Sequence, residues 1–520
     1  MATRLPAYVD TVIIGGGPAA LILSFILHGN TPYYVGGHHD TILDSKLSAR
    51  PSLLDLTPEL YAHFSSSLRY STQALPINTL LDTLIRPNAD TEINPTSCIE
   101  WRNDPGRAIS HIALGDAAQA GGQWADNPVS ASWNIGTLSY AEMLSLPGFS
   151  YSDYYAETRK EAIPDFIRPS RADVADYYKA YPAAVGILDS IRTSTIVGHV
   201  SRTSHGFYIA SHGISCRHLV LASGIFTVNI PPPKLLAPLA ELLNSCDPLL
   251  VIGSGFSAAD VILSTPPNRQ IIHIFQWIPN QRPSPLRGCH HTAYPEYATI
   301  YRQMKLAVMA GRKKAPSKSP LMRQKLNPFF NSRDWATYRG LPNAMIVDVT
   351  NDNGRYVVKI KLESGDILET PIGHLEYVVG RRGSLAYLDQ ALQDEVLEPN
   401  PSDSESNAAG LISAHTLRAK AETDLEVAPN VFIIGSLAGD SLVRHAVGGC
   451  VYAASKIMDI ASSSISCSSR TGTTTPVGAA SPISKTGSPL RANCNTHQDL
   501  HLDRRKLKRS VDIASAENKV

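Results

Sequence analysis

The sequence lacks any Cys-x-x-Cys pair, and its seven cysteines are odd in number and far apart. Both facts argue against a disulfide framework or a zinc site and point to a reducing compartment. Net charge is also missing: 47 Lys and Arg against 46 Asp and Glu leave +1. No overall field therefore draws the chain to nucleic acid or to an anionic membrane, and small molecules are the expected partners. No apolar run reaches the roughly 18 residues that a membrane span requires. The first apolar stretch, with Arg4 and Asp10 around it, reads as neither signal peptide nor anchor, so a cytoplasmic protein is expected. What is present is 520 residues at 43% hydrophobic and 18% charged, enough for two or three buried cores.

The first thirty residues read as strand, tight turn and helix. Tyr8 to Ile14 is apolar and β-branched, Gly15-Gly16-Gly17-Pro18-Ala19-Ala20 forms the turn, and Leu21 to Leu27 continues apolar. A second strand is expected at Tyr33-Tyr34-Val35, completing a βαβ unit beside Tyr8 to Ile14. The same grammar returns at Leu249 to Ile252, Gly253-Ser254-Gly255-Phe256-Ser257-Ala258, a helix, and a strand at Ile271 to Phe275. Further strands ending in small residues, His218 to Ala222, Leu375 to Val379 and Val431 to Ile434, read as entering one shared sheet. The expected fold class is α/β with two Rossmann-like dinucleotide-binding domains, the second inserted into a discontinuous first. Boundaries fall at 1–230, 231–384 and 385–461, with Pro231-Pro232-Pro233 as a stiff crossover. Residues 462–520 turn to Ser, Thr, Pro and Gly without hydrophobic period and read as a disordered tail. That tail has nine Lys and Arg against four Asp and Glu. It reads as a solvated basic segment, with a nuclear address at Arg504 to Arg509 as the alternative.

In a G-x-G-x-x-G turn the first glycine permits the tight bend and the second admits a pyrophosphate to the backbone. The third position must be small so that helix and strand pack. Gly15, Gly17 and Ala20 meet these demands, and Gly253, Gly255 and Ala258 meet them again. Two such units imply two dinucleotides, one a flavin and the other a nicotinamide. The acidic residue expected some 20 residues after the first glycine, on the ribose, is missing, because Val35 is followed by Gly36-Gly37-His38-His39-Asp40. Either His38, His39 or Asp40 binds the ribose from a displaced loop, or water and backbone hold it. Gly121-Gly122-Gln123-Trp124 suits a place where backbone passes close under a flat ring system. Trp133, Asn134 and Tyr140 follow closely enough to line a pocket above it. His290-His291 lacks the further partners that a metal site needs, and no metal is expected.

These motifs together resemble the flavin-dependent monooxygenases, and within them the oxidative stress-induced growth inhibitor family. The resemblance rests on Gly15-Gly-Gly-Pro-Ala-Ala20 with Thr31-Pro-Tyr33, Gly121-Gly-Gln-Trp124, and Arg171-Ala-Asp-Val-Ala-Asp-Tyr-Tyr178. It continues through Leu221-Ala-Ser-Gly224, Gly253-Ser-Gly-Phe-Ser-Ala-Ala-Asp260, Tyr294-Pro-Glu-Tyr297, and Gly435 to Arg444 with Gly448-Gly449. It implies noncovalent FAD on the first domain and NADPH on the inserted one. Gly15, Gly17, Pro18 and Ala20 would hold the pyrophosphate, and Gly121, Gly122, Gln123, Trp124 and Gly224 would border the flavin. Asp440 would bind the ribityl chain, and the helix after Gly448 would aim its positive end at the flavin's pyrimidine edge. Gly253, Gly255, Ser257, Ala258 and Arg282 would serve the nicotinamide nucleotide.

The implied activity is NAD(P)H-consuming oxygenation of a small molecule by molecular oxygen, through a flavin hydroperoxide. No catalytic acid or base is required, and none is assigned. Three absences qualify the resemblance. Gln276 and Trp277 stand where relatives place arginines for the 2′-phosphate, with Arg282 and Arg287 only further on, so NADH remains open. Ser223 replaces the usual threonine of the strand end. The Phe-x-Gly-x-x-x-His-x-x-x-Trp signature of ester-forming relatives is lacking. Two rival readings stand beside this one: a flavin reductase or oxidase without oxygen insertion, and a growth-regulatory interaction protein on a flavoprotein scaffold.

Overall fold

The computed structural model describes residues 5–55, 74–88, 95–127, 129–243, 246–312, 335–397 and 411–468. The expected tail lies outside these residues except for its first few positions. All elements below fall within the compact unit Met1–Ile465. The central strand Tyr8–Ile14 is flanked by Ile214–Leu221 on one side and His111–Leu114 on the other, both parallel to it. Val431–Ile433 adds beyond the first neighbour and Ile191–Arg192 beyond the second, again parallel. Parallel strands covered on both faces read as unbroken apolar runs, which is why Val12, Ile13 and Ile14 are all buried. Pro18 opens the following helix, Pro18–Leu27, where its missing N–H costs nothing, and every later residue of that helix is buried.

A second parallel sheet runs in the order Tyr338–Pro342, Ile271–Phe275, Leu249–Ile252, His374–Tyr377. Its side chains alternate between two cores. Leu249, Val251 and Ile271 pack with the helices Phe256–Ser264 and Pro295–Arg312. Leu250, Ile272 and Ile274 pack with a three-stranded antiparallel sheet of Met345–Asp352, Arg355–Lys361 and Ile367–Ile372. Where the chain leaves and re-enters, Val228–Asn229 pairs antiparallel with Arg381–Arg382.

Two expectations are corrected here. The strand at 374–377 does not share the sheet of 214–221 and 431–433 but pairs with 249–252. The segment at 33–35 is not the neighbour of the first strand. Asn30–Tyr34 instead pairs antiparallel with Ile99–Asn103 in a sheet of its own, and the place beside Tyr8–Ile14 goes to His111–Leu114. An excursion of some eighty residues therefore separates the first helix from the second parallel strand.

The three tyrosines of the 171–184 helix are structural. Ser170 and Asp173 form a reciprocal capping box at its start. Tyr177, Tyr178 and Tyr181, all fully buried, donate to the carbonyls of Phe149, Leu144 and Pro147. They fix the 144–149 loop against the helix by hydrogen bonds that no water can replace.

Candidate functional site

The parallel strands of the first sheet all end at one edge, and a cavity of about 520 Å³ opens there. Ile14 to Ala19, Leu114, Ala222 to Gly224, and Ile434 to Ser436 line it from the strand ends. This is the crevice that an open α/β sheet offers to a ligand. Gly15 has φ +134°, and a Cβ there would lie 2.3 Å from the Ala222 carbonyl oxygen at the end of the neighbouring strand. Gly17 differs: its φ is −82° and a Cβ would meet nothing within 4 Å, so it faces open cavity at the N-terminus of the helix. The Gly121-Gly122 turn passes directly over this loop. Gly121 N–H donates to Gly16 O at 2.8 Å, and a Cβ on Gly122 would sit 3.0 Å from Gly17 Cα.

Of the residues expected around the flavin, Gly15, Gly17, Pro18, Gly122, Gln123, Trp124, Gly224 and Asp440 line the cavity, whereas Ala20, Gly121 and Gly448 do not. Ala20 is fully buried in the helix. Gly121 backs onto Tyr178, and a Cβ on Gly448 would lie 2.3 Å from Ile77 O, so Gly448 lets two helices cross. That last helix starts at Ala446, ahead of Gly448, and Ala446 lines the cavity. Trp133, Asn134 and Tyr140 are also absent from the lining. Their loop crosses toward the second sheet, where Ser132 N–H meets Ser264 Oγ at 2.7 Å.

Sequence reasoning missed Asp116. It lies two residues past the second parallel strand, exposed on the cavity wall, where an acidic residue for a ribose belongs. His38, His39 and Asp40 do not reach the cavity. Asp40 caps the helix Thr41–Ala49 by accepting from Ile42 and Leu43 N–H. His38 bonds Thr83 at 3.1 Å, and burial lowers its pKa to about 4. The signal lay in the Gly121-Gly122 turn, which follows the strand 111–114 and not the strand at 33.

Asp440 is engaged by the protein itself. Its Oδ2 accepts from Leu75 N–H at 2.8 Å and Asn78 Nδ2 at 2.6 Å, and its Oδ1 from Arg418 at 2.6 Å. The carboxylate thus ties the cavity wall to the helix Pro76–Ile85, and Asn78 also accepts Gly449 N–H at 2.7 Å. Ser223 bonds the half-buried Tyr387 hydroxyl at 2.9 Å, both lining the cavity. Neither Asn78, Arg418 nor Tyr387 carried a sequence signal.

The second glycine turn repeats the first at the edge of its own sheet. Gly253 has φ +154°, and a Cβ would lie 2.4 Å from the Val378 carbonyl oxygen, while Gly255 has no neighbour nearer than 3.9 Å. Beneath it, buried His273 donates from Nε2 to Gly253 O at 2.7 Å and accepts the Tyr338 hydroxyl at Nδ1, 2.8 Å away. Burial pushes its pKa down to about 4, against the upward pull of the Gly253 hydrogen bond, and so keeps the imidazole neutral. Ala258 is buried, Ser257 half-buried, and Arg282 is exposed in the loop after strand 271–275.

The Tyr294-Pro-Glu-Tyr297 motif joins the two halves. Glu296 pairs with Arg168 at 2.5 Å, Tyr294 lies under the Arg168 guanidinium and donates to Leu138 O, and Tyr297 donates to Asp260 at 2.8 Å. Asp260, on the helix behind the second turn, is raised to about 6, chiefly by burial and against the pull of Tyr297, Arg171 and Arg381. No group of three or more metal-ligating side chains occurs among the described residues. None of the described helices is long and apolar enough to cross a membrane.

Oxidative stress-induced growth inhibitor 1 of Mus musculus is 27% identical over 502 residues, covering 86% of this chain and 95% of that protein. Its Homo sapiens counterpart is 25% identical over 499 residues, with coverage of 86% and 95%. The homologues of this chain are oxidative stress-induced growth inhibitors. No protein-family model matches it. Among solved structures, a flavin-containing monooxygenase from Stenotrophomonas maltophilia aligns with TM-score 0.43 and 13% identity, over 87% of this chain and 99% of its own. A bacillithiol disulfide reductase from Bacillus cereus aligns with TM-score 0.46 and 12% identity, over 88% and 99%.

Proposed function

We propose that this growth-inhibitor homologue is a flavoprotein monooxygenase. It holds FAD in the 520 Å³ cavity, binds NAD(P)H at the second glycine turn, and transfers one oxygen atom from molecular oxygen to a small-molecule substrate. In this reading residues 1–230 and 385–461 form the flavin domain and 231–384 the nucleotide domain. The observation that carries it is the pair of glycine turns, each ending a central strand of its own parallel sheet. In both, the first glycine is required by backbone packing and the second is open. An open glycine at a helix N-terminus, with cavity beyond it, fits a pyrophosphate, whose charge is met by unpaired backbone N–H groups.

Bound there, the flavin would accept a hydride from the nicotinamide nucleotide and, once reduced, react with oxygen. The chain supplies position and shielding. Gly17 and the amides after it would hold the pyrophosphate, Asp116 the adenosine ribose, and Gly122 to Trp124 the edge of the ring system. The N-terminus of the helix at Ala446 places its partial positive charge at the cavity wall. Phe226, Tyr387, Leu442 and Val443 give that wall apolar surface that keeps water from a reactive centre. Arg282 is the first cationic residue after the nucleotide strand Ile271–Phe275 and would favour NADPH over NADH.

Purified protein should be yellow, with flavin released on denaturation, and should consume NADPH in step with product while releasing little peroxide. Peroxide equal to NADPH consumed under every condition would mean an oxidase. Folded protein that is colourless and takes up no FAD would leave only the interaction-protein reading.

A further inference from the structure

Three buried polar residues, Asn78, Asp82 and Arg86, follow one another at a spacing of four along the helix Pro76–Ile85 and its C-terminal end. Each is bonded to the segment that closes the cavity, whose Asp440 to Val443 and Ala446 line the wall. The Asn78 amide bridges the two ends of that segment. Its Nδ2 donates to Asp440 Oδ2 at 2.6 Å, and its Oδ1 accepts the Gly449 N–H at 2.7 Å. Asp82 holds the middle. Its Oδ2 accepts from Nε and Nη2 of Arg444, and its Oδ1 from Nε and Nη2 of Arg86 at 3.1 and 2.8 Å. Arg86 Nη2 also donates to the Arg444 carbonyl at 3.2 Å.

Packing alone asks for none of this. Ile77, Leu80, Leu81 and Leu84 already bury the helix in the first core, and buried ion pairs roughly break even against apolar replacements. What directed bonds add is register. An amide set between a carboxylate and an N–H, or a carboxylate set between two guanidinium forks, accepts few placements of its neighbours. The segment so held contains the start of the helix Ala446–Ser468, whose first residue stands on the cavity wall and whose first turn includes Gly449.

We propose that Asn78 and Asp82 are positioning residues for the flavin. They hold the 440–449 segment so that the positive end of the last helix stays turned to the cavity, where it favours the reduced, negatively charged flavin over the oxidised one. This rests on the flavin reading above. Neither residue lines the cavity, so both act through Asp440, Arg444 and Gly449. The attraction of a helix end for negative charge fades within one turn, so a small shift of the segment alters the flavin's reduction potential as well as its affinity.

The test compares Asn78→Leu and Asp82→Asn with Ser455→Ala, which removes a bond from further along the same helix to the Leu54 carbonyl. Each is assayed for FAD dissociation constant, for the two-electron potential of the bound flavin by dye equilibration, and for the urea midpoint of the cofactor-free protein. Asn78→Leu and Asp82→Asn should weaken FAD binding about two- to tenfold. Their preference for reduced over oxidised flavin should fall about two- to fivefold, which lowers the potential by about 10–20 mV. Asp82→Asn also removes a negative charge, which acting through space would raise the potential, so a fall reports lost position. Ser455→Ala should lower the urea midpoint and keep the parent potential. An unchanged potential in Asn78→Leu would overturn the proposal, as would an unchanged or raised one in Asp82→Asn or an equal fall in Ser455→Ala. Should Asn78→Leu not fold, Asp82→Asn decides. A wild-type protein without FAD would fell the cofactor reading, and the positioning role with it; wild-type protein that binds FAD beside variants of parental potential sinks the positioning role by itself.

Discussion

Gly15 and Gly17, two residues apart in one turn, should fail in opposite ways when replaced by alanine. At Gly15 the backbone sits at φ +134°, and the new Cβ would stand 2.3 Å from the Ala222 carbonyl oxygen, a backbone atom of the adjacent strand. Strain in that region costs about 1–3 kcal/mol, and forcing strands apart costs a further 1–3 kcal/mol or so. Gly15→Ala should therefore lose about 2–6 kcal/mol of stability. At Gly17 the backbone is ordinary and the added methyl meets nothing within 4 Å. Only its N-cap preference changes, worth about 1 kcal/mol or less. The methyl does fill the space through which a pyrophosphate would approach the helix amides. Losing one charge-assisted hydrogen bond of about 1.5–3 kcal/mol weakens FAD binding by roughly ten- to 150-fold. Urea denaturation of the cofactor-free proteins, beside flavin titration of Gly17→Ala, reads both quantities. Should Gly17→Ala bind FAD like the parent, or lose as much stability as Gly15→Ala, the assignment of the turn is wrong.

Tyr177→Phe removes a hydroxyl that accepts Leu146 N–H and donates to Phe149 O. With two buried backbone groups orphaned, stability should fall by about 2–4 kcal/mol in thermal or urea unfolding. Asp116→Asn should leave stability unchanged and raise the FAD dissociation constant by roughly three- to tenfold through the ribose contact. Stability should drop as pH falls from 6.5 toward 4. His111 and His273 are buried and shifted down to about 4 from 6.5, so between those values the unfolded chain takes up protons that the folded one refuses. Each contributes about 3 kcal/mol across that window. Asp260, raised to about 6 from 3.8, works the other way, gaining stability as pH falls through 6, but one such group is outweighed by two histidines. Replacing His111 with Asn should flatten the decline measured by urea midpoints at successive pH values, while Asp260→Asn should steepen it.

Both glycine turns were legible because they are local. A strand, a residue that tolerates positive φ and a buried helix are contiguous, and their demands on residue type leave a mark at fixed spacing. Gly121-Gly122 was legible for the same reason, although its partner at Gly16 and Gly17 was not. The misreading of Tyr33 to Val35 shows the limit. Hydrophobic pattern marks a strand but not its neighbour, and an apolar strand beside Tyr8–Ile14 satisfies the same pattern whether it comes 20 or 100 residues later.

From the chain alone came two nucleotide-type turns, the positions of most strands that lead into the cavity, and a Tyr-Pro-Glu-Tyr segment with no discernible task. Tertiary structure alone decided which strands lie side by side, and with them that Asp116 lines the cavity while Asp40 caps a helix. It also brought Asn78, Arg418 and Asp440 together across more than three hundred residues, and set Arg168 against Glu296. The reason is that charge pairing and hydrogen bonding act over a few ångströms of space and ask nothing of sequence separation. A carboxylate finds its guanidinium only after the sheets have fixed where each will stand.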